Sequence, residues 1–281
     1  DEIAVSILQA TRIETKLGRS ELVSKDPELY KMHIKANSLF SKMTPATNKE
    51  AEKLWMKALE KEPENHRFMV TLGWVNWQKI VLRMSENPKK DIQKGLRLAK
   101  QSLSIRPDFA SALSLAVSLE MMMGNHDDAC KRVEKIFKFA ENTFDTALGA
   151  AGAHNCGDLE LAISNYEYVF RTAPHFSSWA RNLYSYALVE NGDFDKALEY
   201  FDSELKKEHA FGGFSQTMYL LSAFINKKRG DEKKAKEFFE KQKSQDGKGK
   251  SANRIRGELS MLKNKGFINE LINELSSLGL T

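Results

Sequence analysis

Four short phrases in register constrain this chain more than anything else in it. Gly124-Asn125 is followed by Ala129, Gly157-Asp158 by Ala162, Gly192-Asp193 by Ala197, and Gly230-Asp231 by Ala235. The glycines recur after 33, 35 and 38 residues. Each part has a physical reason. A glycine ends one helix, where the left-handed conformation costs it little. The Asp or Asn beside it can cap the next helix by accepting backbone N–H bonds. The alanine belongs where two helices of a hairpin approach closely. Four residues on, Val133, Tyr166, Phe201 and Phe239 lie one turn along the same face and fill the space between hairpins. One such phrase fits any helix-turn-helix. Four at a fixed period specify a stacked array of helical hairpins.

Two further hairpins lie upstream. Residues 51–63 place Ala51, Trp55, Ala58 and Pro63 at the positions of a second helix. Its first helix is expected at Pro27–Lys42, with Asp26 as cap and Pro27 in the first turn. Leu72-Gly73 marks the next first helix and Ile92–Ile105 the next second helix, where Gly95 replaces the expected alanine and weakens the helix. About ten extra residues around Val81–Lys90 lengthen that hairpin relative to the period. Ahead of the array, Glu2–Leu17 reads as an amphipathic helix through Ile3, Ile7, Leu8 and Ile13. Behind it, Ala252–Lys263 and Asn269–Leu278 read as two terminal helices covering the last hairpin. Of the two Asn/Asp-Gly pairs, Asn191-Gly192 belongs to a repeat phrase and Asp246-Gly247 lies in a polar loop.

The period is that of the tetratricopeptide repeat, about 34 residues, and the phrases resemble that family. The expected fold is therefore all-α, a superhelical array of about six repeat-like hairpins over residues 26–250. Residues 1–25 form an amino-terminal helix and linker, and residues 251–281 form carboxy-terminal capping helices. The order of segments also resembles the carboxy-terminal repeat region of bacterial class III adenylate/guanylate cyclase-like proteins. Asp1–Ala10, Thr15–Lys25, Tyr30–Phe40 and Ala58–Pro63 carry that resemblance. It implies a regulatory or sensor segment in a signalling protein. The sequence itself holds neither cyclase core strands nor metal-binding aspartates.

Composition agrees with a folded chain: 41% of residues are hydrophobic and 29% charged, which argues against wholesale disorder. No apolar run is long enough to span a bilayer, and no signal peptide is visible. Residue 1 is Asp rather than Met, as expected of a piece of a longer protein. The cytoplasm is the favoured setting for this segment, the periplasm if its parent is membrane-anchored. The net charge of +5 is mild. Basic residues crowd between Lys227 and Arg256, which reads as a solvated helix face plus a loop in preference to a nucleic-acid patch.

Candidate chemistry is thin. Gly249-Lys250-Ser251 ends like a phosphate-binding loop, but position 244 is Ser where the motif needs Gly, and no strand precedes it. His126, Cys130, His154 and Cys156 fall close together on the repeat register. Without close ligand pairs they read as two buried thiols and two surface imidazoles, not a zinc site. Two cysteines make no disulfide framework, and neither catalysis nor a cofactor is expected.

What remains is binding. Stacked hairpins present a concave side lined by first helices. With first positions at His66, Ala110, Thr143, Ser178 and Gln216, the groove is expected to collect Trp74, Trp77, Met121, His154, Asn155, Asn182 and Tyr186. Aromatic and methionine anchors among amide donors suit an extended peptide or a partner helix. The groove lacks the Lys/Arg cluster that clamps a terminal carboxylate. The sequence therefore points to a protein- or peptide-binding scaffold. A cyclase-linked regulatory segment is the alternative, and RNA binding through the basic carboxy-terminal third stands behind both.

Overall fold

A computed structural model of the chain describes residues 23–174, 176–206, 212–244 and 251–281. The helix expected at Glu2–Leu17 and the loop at 245–250 lie outside the described residues. Every regular element among the described residues is an α-helix, with no strand. The chain divides into two compact units, one ending at Gly149 and one beginning at Ala150.

The first unit holds three hairpins. Helix α1 (Pro27–Phe40) pairs with α2 (Pro45–Lys61), and α3 (His66–Val81) with α4 (Pro88–Ile105). Helix α5 (Ala110–Met122) pairs with a second helix in two pieces, α6 (His126–Cys130) and α7 (Val133–Phe139). The starts of α1, α2 and α4 follow one recipe. Asp26, Thr44 and Asn87 cap backbone N–H groups with their side chains, and a proline occupies the first turn. The interruption between α6 and α7 was not expected. Arg132 N–H bonds to the Ala129 carbonyl at 3.0 Å, one residue short of helical spacing, while its guanidinium turns back to Glu120.

The division falls within α8 (Thr143–Cys156), which is followed by α9 (Leu159–Thr172). The second unit continues with α10 (Ser178–Glu190) and α11 (Phe194–Leu205), α12 (Gly212–Lys228) and α13 (Glu232–Ser244), then α14 (Ala252–Glu258) and α15 (Lys265–Ser276). Helix α12 starts four residues ahead of the expected Gln216, with Gly212 and Gly213 in its first turn. The terminal helices also move. The first stops at Glu258, and the second begins at Lys265 because Asn264 Oδ1 accepts from Phe267 N at 3.1 Å.

The repeat phrases behave as one device. Gly124, Gly157, Gly192 and Gly230 all take positive φ, between 78° and 85°. After each, the next N–H reaches back five residues: Asn125 to Glu120, Asp158 to Ala153, Asp193 to Leu188 and Asp231 to Asn226, at 2.9–3.0 Å. This closes each first helix with the same capping bond. Side-chain caps follow at Asp158 and Asp231. Asn125 and Asp193 make none. Ala129, Ala162, Ala197 and Ala235 are fully buried, with Val133, Tyr166, Phe201 and Phe239 buried beside them.

Gly73 and Gly95 have a reason the sequence did not disclose. A Cβ on Gly73 would stand 2.2 Å from Leu115 Cδ2, and one on Gly95 would stand 2.6 Å from Leu119 Cδ1. Both leucines are completely buried. Here α3, α4 and α5 meet so closely that glycine is needed on both sides of the hairpin.

Candidate functional site

In the first unit the face of interest is carried by α3 and α5. Trp74 and Trp77, one turn apart, form an edge-to-face pair with centroids 5.5 Å apart. Both are half-buried. Trp74 Nε1 points at Ser111 Oγ on α5, 3.4 Å away, so the pair sits where two first helices are neighbours. Trp77 Nε1 has no acceptor among the described residues. Met122, half-buried, packs into the same cluster. Met121, expected beside it, is 2% exposed and belongs to the interior. Gln78, next to Trp77, is fully buried. It accepts from Asn48 Nδ2 at 2.8 Å and donates to the Phe40 carbonyl at 3.0 Å, locking the first hairpin to α3.

In the second unit the expected groove residues are covered by the chain itself. The Tyr186 hydroxyl on α10 donates to Glu258 Oε2 of α14 at 3.4 Å, and the ring is fully buried. Burial, with Glu258 beside it, holds that phenol well above its ordinary range. Lys263 N–H donates to the Asn155 carbonyl at the end of α8 (2.8 Å), leaving Asn155 7% exposed. Asn264 Nδ2 donates to Glu190 Oε1 at 3.0 Å. On α12, Phe224 meets Phe267 edge-on and Lys228 pairs with Glu270 at 2.5 Å. Asn182 is half-buried, and its Oδ1 has no donor among the described residues.

His154 is not the surface imidazole the sequence implied. It is 1% exposed, and Glu190 Oε2 accepts from its Nε2 at 3.0 Å. A carboxylate only accepts, so Nε2 carries the proton. Cys130 and Cys156 are disulfide-bonded rather than free thiols. Among the described residues no cluster of His, Cys, Asp and Glu could hold a metal ion. No helix among them is long and apolar enough to cross a membrane.

No protein-family profile matches the chain, and no curated protein does. Solved structures do. PilW, a widely conserved type IV pilus biogenesis factor, aligns with a TM-score of 0.54 at 16% identity, over 76% of this chain and 92% of that one. A chain of the APC/C hetero-tetramer Cut9–Hcn1 aligns with a TM-score of 0.56 at 12% identity, over 96% of this chain and 52% of that one. The chain thus spans about half of that larger protein. YrrB, a TPR protein with an unusual peptide-binding site, aligns with a TM-score of 0.45 at 13% identity, over 76% and 95%. Combined with four identically closed first helices, the likenesses to PilW and to the Cut9–Hcn1 chain decide the fold. It is a tetratricopeptide repeat fold.

Two features of this repeat protein escaped sequence reasoning. One is the route of residues 251–281 across first helices. The other is a charged cluster in the first unit. Glu141 pairs with Arg106 and, at 3.7 Å, with Arg67, while Asp145 Oδ2 accepts from Glu141 N at 3.2 Å and Asn142 Nδ2 at 3.1 Å. Asp145 is 3% exposed, and burial raises its carboxyl to about 6 despite the backbone bond and the two arginines. Its Asn142-x-x-Asp145 spacing is a capping-box signal at the start of α8 that the sequence did carry.

Proposed function

We propose that this repeat protein is a non-catalytic scaffold that binds a protein or peptide segment along its first helices. The Trp74–Trp77 pair carries the reading. Large aromatic side chains left half-buried and packed edge-to-face on a first helix are apolar anchors for a partner. The exposed parts of the two rings offer apolar contact, and the flanking Met122 is an adaptable one. In the second unit the half-buried Asn182 on α10 is a further contact. Stacked repeats present extended surfaces suited to such binding.

The readings as a cyclase-linked regulator and as an RNA binder gain nothing from the comparisons. Among the described residues of the basic third, Lys227, Lys228, Arg229, Lys234, Lys241, Lys243 and Arg254 each pair with a carboxylate, which offsets part of its charge toward phosphates.

The test is direct. With a bound segment identified by cross-linking to the full chain, Trp74→Ala and Trp77→Ala should each weaken it by more than about 1 kcal/mol, roughly five-fold or more in Kd. Unchanged affinity in both variants, with binding abolished by charge reversal at Lys233, Lys234 and Lys236, would replace this reading with an electrostatic one.

A further inference from the structure

The carboxy-terminal segment touches the second unit as a ligand would. From Ser251 it passes over α10, where Glu258 meets Tyr186. It turns at Lys263-Asn264 against the ends of α8 and α10. It returns as α15 along α12, where Phe267 and Glu270 meet Phe224 and Lys228. Ala252 N–H then donates to the Thr281 carbonyl at 2.8 Å, closing the segment on itself. Three successive first helices are therefore bridged by one amphipathic strap. Ile255, Leu259, Leu262, Leu271 and Leu275 face inward, each at most 2% exposed.

The hairpins have cores of their own beneath this strap. Ala162 with Tyr166, Ala197 with Phe201, and Ala235 with Phe239 are buried on the second helices, α9, α11 and α13. Among the described residues, polar attachments of the strap include the Lys263-Asn264 turn and Glu270 on α15. Glu190 is shared, with one oxygen on His154 and the other on Asn264. The Lys228–Glu270 pair is exposed. A segment held this way can open locally while the hairpins stay folded.

We infer that residues 251–281 are an internal ligand of the second unit, and that the partner replacing them is an amphipathic helix with a leucine/isoleucine stripe and acidic side chains. The acidic requirement follows from the two groups that Glu258 and Glu270 now satisfy, the Tyr186 hydroxyl and the Lys228 ammonium. A tethered occupant has a high effective concentration, so a free partner sees only the fraction of molecules whose strap is open. This inference rests on the proposal that first-helix faces bind segments. Its experiment leaves Trp74 and Trp77 untouched, so the two can fail separately.

The probe is a fluorescein-labelled peptide of residues 251–281, titrated into the full chain. It should bind the wild type weakly. It should bind the Leu259→Asp/Leu262→Asp chain about ten-fold or more tightly, because the substituted strap no longer competes. Equal affinity for both chains, with the variant's helical circular dichroism intact, overturns the inference. Hydrogen exchange on the wild type decides the matter should that variant not fold. Amides of α14 and α15 should exchange about ten-fold or more faster than those of α10 and α12. Equal protection would make the strap a fixed part of the fold and end the proposal. A concentration-dependent dimer of the wild type in light scattering, lost in the double variant, would overturn it in favour of a second copy's strap as the natural occupant.

Discussion

The carbonyl oxygen of Gly73 lies 3.4 Å from the point where a Cβ on Gly95 would stand. Two helices of one hairpin thus cross backbone against backbone, with Leu115 and Leu119 of the next first helix closing over the contact. In an open helix, exchanging glycine for alanine stabilises by roughly 1 kcal/mol. At Gly73 the sign should reverse. The added methyl must displace a fully buried leucine, and overpacking of that kind typically costs about 1–3 kcal/mol. Gly73→Ala should lower the midpoint of urea unfolding, and a raised midpoint would mean the crossing has slack that the geometry does not show.

Ala197 tests the same logic in the second unit. It is fully buried where α11 approaches its neighbours, with Phe201 one turn away at 1% exposure. Ala197→Leu adds three carbons to a closed crossing and should cost roughly 1–3 kcal/mol. A melting temperature equal to wild type would show that the alanine phrase is not a packing constraint in this repeat.

Tyr166 offers a prediction of the opposite sign. Its ring fills the inter-hairpin space, completely buried and stacked near Phe170 at 6.2 Å. Its hydroxyl has no hydrogen-bond partner among the described residues, and burial lifts its pKa beyond the usual phenol range. Burying a hydroxyl without a partner costs roughly 1–3 kcal/mol on mutational scales. Tyr166→Phe keeps the ring and removes that penalty, so it should stabilise the chain or leave it unchanged. A clear loss of stability on thermal unfolding would point to a hidden partner for the hydroxyl.

These residues also show what a sequence of this kind displays and what it hides. The glycines at 124, 157, 192 and 230 and their alanines were legible because local backbone geometry and helix contact act at fixed short spacings. The first positions His66, Ala110, Thr143 and Ser178 coincide with the starts of α3, α5, α8 and α10 for the same reason. Gly95 read as a weakness, because what demands it is Leu119 on another hairpin. His154 read as exposed, because Glu190 lies on the following first helix. The strap read as an end cap. An amphipathic stripe says which face of a helix is apolar but not which surface will cover it, so the route of residues 251–281 over Tyr186 and Asn155 was not written in their own periodicity.

Asp145 gives the charged cluster of the first unit a pH signature. Its carboxyl sits at about 6, raised first by burial and further by the Glu141 carboxylate. The Glu141 N–H, Arg67 and Arg106 pull the other way and only partly offset the rise. In the unfolded chain an aspartate titrates near 3.9. Between about pH 4 and pH 6 the folded state therefore holds more protons than the unfolded state. Stability must fall as pH rises through that window, then level off above it. Two pKa units correspond to roughly 3 kcal/mol at most, an order-of-magnitude figure for a buried group. Asp145→Asn removes the charge. Its side-chain oxygen can still accept from Glu141 N and Asn142 Nδ2, keeping the start of α8 capped. The variant should thus be more stable than wild type at pH 7, and its urea midpoint should decline less between pH 4 and pH 6. If wild type and variant instead shared the same pH slope across that interval, Asp145 would be ionised at no cost, and the arginines would be compensating its burial in full.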